Sequence, residues 1–80
     1  MDQTQITQAV TAIFQETFPE LGNGPFDLDK QQKDFERWDS FAHLELVSKI
    51  GQRWGVTFGL DEVVAIDCAR ACIEMLGKKL

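Results

Sequence analysis

An aspartate, a serine and the single histidine of the chain lie close together, as Asp39, Ser40 and His43. A carboxylate, a hydroxyl and an imidazole are the groups of a Ser-His-Asp hydrolase, so this segment first suggests that chemistry. A triad also needs an oriented imidazole and donors for an oxyanion, which neighbouring residues at one helix start rarely provide. The Gly-x-Ser-x-Gly turn of α/β-hydrolases does not occur in the sequence either. We therefore predict that the chain is not an enzyme.

The other side chains that could do chemistry predict no metal site. Cys68 and Cys72 are four positions apart, but zinc needs about four ligands and one distant histidine does not complete the set. We expect both cysteines to be small packing side chains in a reducing cytoplasm. The acidic residues before Asp39 lack the glycine and the final glutamate of a calcium-binding EF-hand loop.

Length and charge limit the classes of partner. The chain has 80 residues, which is enough for one domain over 1–80. Thirteen Asp and Glu against eight Lys and Arg give a net charge of −5, which argues against nucleic acid and anionic membranes. We expect no signal peptide, no membrane span and a cytoplasmic monomer. An acidic surface attracts a basic protein partner, although many domains are acidic only for solubility.

The first half of the chain predicts one helix and one long connection. The first helix is marked by apolar residues at helical spacing, which are Ile6, Val10, Ile13, Phe14 and Phe18. It is capped by Asp2 or Thr4, and it ends at Pro19 and the Gly22–Pro25 segment. A connection of about twenty residues follows up to Asp39, a length that is often functional. We expect four apolar side chains to hold it on the core: Phe26, Leu28, Phe35 and Trp38.

The second half predicts three more helices. The second helix runs from Ser40 to Trp54 and ends at Gly55, and the extended link after it buries Val56 or Phe58. A short third helix opens at Gly59-Leu60-Asp61 and runs through Val63 and Val64. A fourth helix carries apolar residues at spacings of three and four, with Lys78 and Lys79 at its end; they are Ile66, Ala69, Ile73, Leu76 and Leu80. The predicted fold is an all-α four-helix bundle with a long first loop and a short third helix.

The second helix has an unusually wide apolar face. Its polar residues fall within one arc, which leaves roughly 220° that is apolar, small or occupied by His43, against about 100° for an ordinary surface helix. Either the helix is central, or one edge of this face, around Phe41, Leu44 and Ser48, is exposed for a partner. For His43 we favour a partly buried, hydrogen-bonded side chain, and a pH-sensitive packing position or a contact with a ligand is the alternative. Gly51 either permits close packing or leaves room for a ligand.

Asp and Ser are ordinary helix caps, but their surroundings resemble a known segment. Asp39-Ser40-Phe41, Leu44-Glu45-Leu46-Val47, and the apolar positions after them are similar to the phosphopantetheine-attachment segment of acyl carrier proteins; those positions are Ile50, Trp54, Val56 and Phe58. In that family an Asp-Ser-Leu motif opens the second helix. The four helices, the long first loop and the acidic charge also match, so the resemblance covers essentially the whole chain.

The resemblance implies a bundle of acyl-carrier type and a function. Ser40 would receive 4′-phosphopantetheine from coenzyme A through a phosphopantetheinyl transferase, with Asp39 as part of the motif. The thiol of the arm would carry acyl groups as thioesters between an acyl- or aminoacyl-activating ligase and acyl-transfer enzymes. A helix N-terminus also favours a phosphodiester anion. We assign the partner-binding residues to the second and third helices: Phe41, Leu44, Glu45, Ser48 and Glu62.

Two departures from the family pattern predict specialised partners. Phe41 replaces the usual leucine, and Glu45, which can pair with Lys49, is the one acid of the second helix after Asp39. Enzymes that recognise an acidic second helix should bind weakly, which favours a specialised lipid, polyketide or aminoacyl pathway over general fatty-acid synthesis. An aminoacyl or peptidyl carrier with the same serine, and an unmodified helical adaptor that binds through the Phe41 edge, remain the alternatives.

Overall fold

The computed structural model describes residues 2–22, 24 and 26–80. Met1, and Asn23 and Pro25 of the predicted helix stop, lie outside the described residues. The described chain contains no β-strand and four α-helices, which are α1 (Gln3–Thr17), α2 (Ser40–Trp54), α3 (Leu60–Ala65) and α4 (Ala69–Lys79). The predicted small helical bundle, with a long first loop and a short third helix, is confirmed. None of these helices has both the length and the apolar character needed to cross a bilayer.

Local signals define both ends of α1. Of the two predicted caps, Asp2 is the one observed, because its Oδ1 accepts a hydrogen bond from the Gln5 N–H at 2.8 Å. The helix ends at Thr17 because the residue before a proline is disfavoured in the helical conformation. Phe18 accordingly has φ −122° and ψ 81°, and Pro19 begins a short 3-10 turn, Pro19–Leu21.

The core forms between α1 and its two main neighbours, α2 and α4. α1 and α4 each bury a row of side chains spaced three or four apart, whereas α2 buries only Leu46 and Ile50; the rows are Ile6, Val10, Ile13 and Phe14 on α1, and Ala69, Cys72, Ile73 and Leu76 on α4. The central helix is therefore α1, and exposure of one edge, rather than a central position, accounts for the wide apolar face of α2.

Aromatic side chains attach the long first loop to the core. Phe35 and Trp38 are buried and pack with ring centroids 4.9 Å apart. Trp38 also lies 5.4 Å from Phe14 and 5.6 Å from Phe18 between ring centroids. Phe26 and Leu28 are half-buried against the same cluster. The predicted attachment of this loop by four apolar side chains is confirmed.

The predicted start of the fourth helix was wrong. Ile66 is buried as expected, but it follows α3 in an extended conformation, and α4 begins at Ala69 after Cys68. The carbonyl of Asp67 accepts a hydrogen bond from the Gln32 N–H at 2.8 Å, so this stretch is tied to the first loop. The last predicted core residue, Leu80, is exposed because it lies beyond the final helical residue.

Candidate functional site

Ser40 is the first residue of α2 and is exposed. Asp39 caps the helix, because its Oδ1 accepts the Ala42 N–H at 2.9 Å and its carbonyl accepts the His43 N–H at 2.9 Å. Trp38, only 4% exposed, fixes the chain immediately before this cap. The Ser40 hydroxyl is thus presented to solvent from a backbone that is anchored on its N-terminal side.

The backbone around Ser40 suits a bound anion. The first N–H groups of a helix have no partner within the helix, and here the Asp39 side chain takes that of Ala42. Within the described part of the chain, the N–H groups of Ser40 and Phe41 have no hydrogen-bond acceptor. Unpaired N–H groups and the helix dipole stabilise negative charge at such an end, which is where a phosphodiester on Ser40 would lie.

Large apolar side chains are exposed next to Ser40. Phe41 is 79% exposed and Leu44 is 63% exposed, and Ser48 is exposed one turn further along α2. The predicted exposed edge of α2 is therefore confirmed, whereas its role in partner binding stays a prediction. Soluble proteins usually bury side chains of this size, so their exposure marks a candidate docking surface.

Glu45 is exposed but directed toward a lysine. The predicted pair with Lys49 is present at 3.5 Å, and Lys49 also lies 3.6 Å from Glu16 and 3.3 Å from the Thr17 hydroxyl of α1. Lys49 therefore connects α1 and α2 through several weak contacts. Partially exposed pairs of this kind contribute a few tenths of a kcal/mol each, about 0.3–0.5 for the i,i+4 pair.

α3 also exposes large apolar side chains, which sequence reasoning missed. Leu60 is 79% exposed and Val64 is 75% exposed, and none of the six residues of α3 is buried. These two residues are four positions apart and therefore share one face of the helix. That spacing was the available signal, but an apolar row on a helix ordinarily predicts burial. We call Phe41, Leu44, Leu60 and Val64 the apolar surface.

Glu62 holds α3 in place. Its Oε1 accepts the Gly59 N–H at 2.9 Å and lies 3.0 Å from the Lys79 ammonium of α4. The Gly59 hydrogen bond, together with Lys79, lowers the pKa of Glu62 below its usual value. Lys79 also donates to the Thr57 carbonyl at 3.1 Å. Glu62, which we predicted to bind a partner, is thus engaged within the fold, and its contact with a partner stays a prediction.

His43 connects the core to α3. Its Nδ1 lies 2.8 Å from the Trp38 indole nitrogen, and its Nε2 lies 2.7 Å from the Val63 carbonyl oxygen. An indole N–H can only donate, so Nδ1 is the acceptor and the proton of the neutral ring lies on Nε2, which donates to Val63. The prediction of a partly buried, hydrogen-bonded histidine is confirmed. Because both ring nitrogens are engaged elsewhere, Asp39, Ser40 and His43 do not form a triad in this structure.

Gly51 lies in the last turn of α2, against the link that follows the helix. A Cβ atom on Gly51 would be 2.9 Å from the Val56 carbonyl oxygen, which supports the close-packing explanation for this glycine. The neighbour is the link after α2 rather than another helix. Gly55 allows the turn with φ 65° and ψ 35°, a left-handed conformation that suits glycine. Val56 and Phe58 are both half-buried, and with Ser48 they border an open groove of about 350 Å³.

The two cysteines occupy different environments. Cys72 is buried in the row that α4 packs on the core, and burial raises the pKa of its thiol to about 12. Cys68 is half-buried at the position before α4. The predicted packing role is confirmed for Cys72, whose thiol is protonated and enclosed.

Comparison with known proteins identifies no relatives: no protein-family model matches the chain, and neither does any curated protein or solved structure. The structural arguments for a function therefore come from the start of α2 and the apolar surface.

Proposed function

We propose that this chain is a carrier protein of acyl-carrier type, in which Ser40 is the attachment residue for 4′-phosphopantetheine. The observation that carries the proposal is the exposed Ser40 at the first position of α2, between the buried Trp38 and the exposed Phe41. The resemblance of residues 39–58 to the attachment segment of acyl carrier proteins supplies the identity of the group. When bound, the arm supplies a thiol that carries an acyl group as a thioester.

The residues at the start of α2 fit a role in which another protein supplies the catalysis. Ser40 is exposed to an external transferase, and no base of the chain is bonded to its hydroxyl among the described residues. The cap from Asp39 keeps this residue at the helix end, where the unpaired N–H groups of Ser40 and Phe41 favour the phosphodiester. An arm with the reach of six extended residues, about 20 Å, would bring its thiol to the active sites of several enzymes.

The charge around the apolar surface indicates the kind of partner. Residues 39–48 and 59–65 contain four carboxylates, Asp39, Glu45, Asp61 and Glu62, and no lysine or arginine. The second half of α2 is instead basic, with Lys49 and Arg53. A partner should therefore present apolar and basic side chains near Ser40 but not along the whole of α2. This pattern supports a specialised lipid or polyketide pathway over general fatty-acid synthesis.

The proposal is tested by enzymatic loading. The purified chain is incubated with coenzyme A and a broad-specificity phosphopantetheinyl transferase, and the intact mass is measured. We expect a mass increase equal to one phosphopantetheine group in the wild type and in Thr57→Ala, and none in Ser40→Ala. Thr57 is a suitable control because it is an exposed hydroxyl residue in the link after α2, outside the assigned partner-binding residues. No mass increase in the wild type, or an equal increase in Ser40→Ala, would contradict the proposal.

The second candidate is an unmodified adaptor, and the exposure of Leu60 and Val64 is the observation that favours it. An adaptor binds its partner through the apolar surface without any arm. Affinity capture from the native cell with the wild type and with Ser40→Ala separates the two. An adaptor should capture the same partner in both forms and carry no added mass. A carrier should show the mass of the loaded arm in the wild type and lose it in Ser40→Ala. A mass spectrum of native carrier would also distinguish an acyl from an aminoacyl or peptidyl cargo.

A further inference from the structure

We propose that His43 is a proton-sensitive positioning residue, which fixes α3 beside the Ser40 end of α2 through its hydrogen bonds to Trp38 and Val63. The positioning of α3 follows from the geometry of the unmodified chain. The meaning of this positioning for a partner that docks near Ser40 rests on the proposed carrier function.

The arrangement requires a neutral imidazole. Nδ1 accepts from the Trp38 indole at 2.8 Å and Nε2 donates to the Val63 carbonyl at 2.7 Å. A protonated ring has two donors and no acceptor, so the Trp38 N–H would then face another N–H. Among side chains, histidine is the one whose ordinary titration falls between pH 5 and 8, which sets the pH range of the test below.

Trp38 cannot turn away to relieve that conflict. Its ring is buried in the aromatic cluster, with centroids 4.9 Å from Phe35, 5.4 Å from Phe14 and 5.6 Å from Phe18. Close-packed side chains of this kind occupy one arrangement. The half-buried His43 is the movable partner, and movement of its ring breaks the hydrogen bond to Val63.

α3 has few other attachments. None of its residues is buried, and its polar contacts to described residues other than its neighbours Gly59 and Ile66 are the His43–Val63 hydrogen bond and the Glu62–Lys79 pair at 3.0 Å. Ile66, which directly follows it, is the nearest buried anchor. Loss of the His43 contact therefore removes one of the two polar contacts that hold this helix.

The charged groups of the neighbouring elements do not replace the lost contact. They include Arg37 before α2, Asp39 and Glu45 on α2, Asp61 and Glu62 on α3, and Lys79 on α4. Asp39 accepts the Ala42 N–H, Glu45 pairs with Lys49, and Glu62 pairs with Lys79. Asp61 is exposed, and among the described residues no carboxylate is bonded to either nitrogen of His43. Protonation therefore loosens α3 and with it Leu60 and Val64 of the apolar surface.

The test is amide hydrogen exchange of the unmodified chain between pH 8 and pH 5.5, corrected for the intrinsic exchange rate at each pH. The reporters are the amides of Val63 and Ile66, which donate to the carbonyls of Gly59 and Val63. We expect their protection to fall roughly fivefold to thirtyfold as the pH is lowered, as for the loss of one or two kcal/mol of stabilisation. Amides in the middle of α1 should keep their protection. Unchanged protection of α3 over this pH range would overturn the proposal.

Three variants separate this mechanism from a general effect of acid. His43→Gln offers an acceptor and a donor but does not titrate, so the pH response of α3 should disappear. Trp38→Phe keeps an aromatic ring in the cluster but removes the N–H, so the response should weaken. Lys79→Met should lower protection of α3 at every pH and leave the response intact. A full pH response in His43→Gln would contradict the proposal.

A spectroscopic measurement on the wild type covers the case in which Trp38→Phe fails to fold. Nitrogen-15 NMR at neutral pH should show a protonated Nε2 and an unprotonated Nδ1 for His43. The opposite tautomer would overturn the proposal. The pH response of α3 does not need the arm, so Ser40→Ala should keep it. If the wild type shows this pH response but accepts no arm, the carrier function is refuted and the role of His43 stands.

Discussion

α3 and α4 follow each other in the sequence but hold their apolar side chains in opposite environments. α4 buries four residues against α1, whereas α3 buries none and exposes Leu60 and Val64. α4 is therefore held by the hydrophobic effect, which is strong and independent of pH, and α3 is held largely by hydrogen bonds and an ion pair. The molecule thus combines one stable unit with one helix whose attachment depends on protonation.

The same division runs along α2. Leu46 and Ile50 in its middle are buried, while Phe41 and Leu44 at its start are exposed. The start of α2 also contacts α3, through the hydrogen bond between His43 and Val63. The exposed side chains of the two helices contribute little to the buried core, which leaves them accessible to a partner.

The largest expected effect comes from comparing a buried with an exposed leucine. Leu76→Ala removes a fully buried side chain of α4 and should lower the free energy of unfolding by about 2–5 kcal/mol. Leu60→Ala on α3 should change it by no more than about 0.5 kcal/mol, since that side chain is exposed. Urea unfolding followed by circular dichroism measures both. Similar losses for the two variants would remove the distinction between α3 and α4.

A smaller effect distinguishes two glycines within helices. Alanine is favoured over glycine in a helix by about 1 kcal/mol. The Cβ of an alanine at position 77 in α4 would lie 4.0 Å from the nearest atom, in the Gln3 side chain. Gly77→Ala should therefore stabilise the protein. Gly51→Ala should instead destabilise it by about 1–3 kcal/mol, since the Cβ would lie 2.9 Å from the backbone oxygen of Val56. Thermal unfolding of both variants is the measurement. Stabilisation by Gly51→Ala would show that the link after α2 moves freely.

The smallest effect concerns Glu62 at acid pH. Its pKa is lowered in the folded chain by the Gly59 N–H and by Lys79. A lowered folded pKa means that this stabilisation is fully present above the pKa of the unfolded chain and is lost as the pH falls through the folded value. We expect the protection of α3 amides in Glu62→Gln to be lower than in the wild type near neutral pH, with the difference disappearing in acid. A constant difference at all pH values would contradict the assignment to the ionised carboxylate.

Local signals explain what could be predicted from the sequence. Asp2, Pro19 and Gly55 act on their immediate neighbours, so the ends of α1 and α2 follow from residue type and position. The exposed position of Ser40 follows equally from the Asp39 cap. Contacts between distant segments could not be predicted in this way. The stretch before α4 is bonded to the first loop through Gln32 and Asp67, and His43 is bonded to Val63, twenty residues further along.

The apolar residues of α3 show a different limit. Leu60 and Val64 have the spacing that normally indicates a buried face, and composition alone does not distinguish a core from a binding surface. Their exposure results from the shortness of α3, whose six residues contribute nothing to the buried core. Knowing which apolar face lacks a partner requires the positions of all the helices.

Trp38 gives the start of α2 a property of its own. Its ring belongs to the aromatic cluster, and the chain passes from it through Asp39 directly to Ser40. Ser40 therefore keeps a fixed position in the molecule even when α3 moves. Any group tethered there turns about a stationary pivot, so the distance over which it can be delivered is set by the length of the tether and not by motion of the protein.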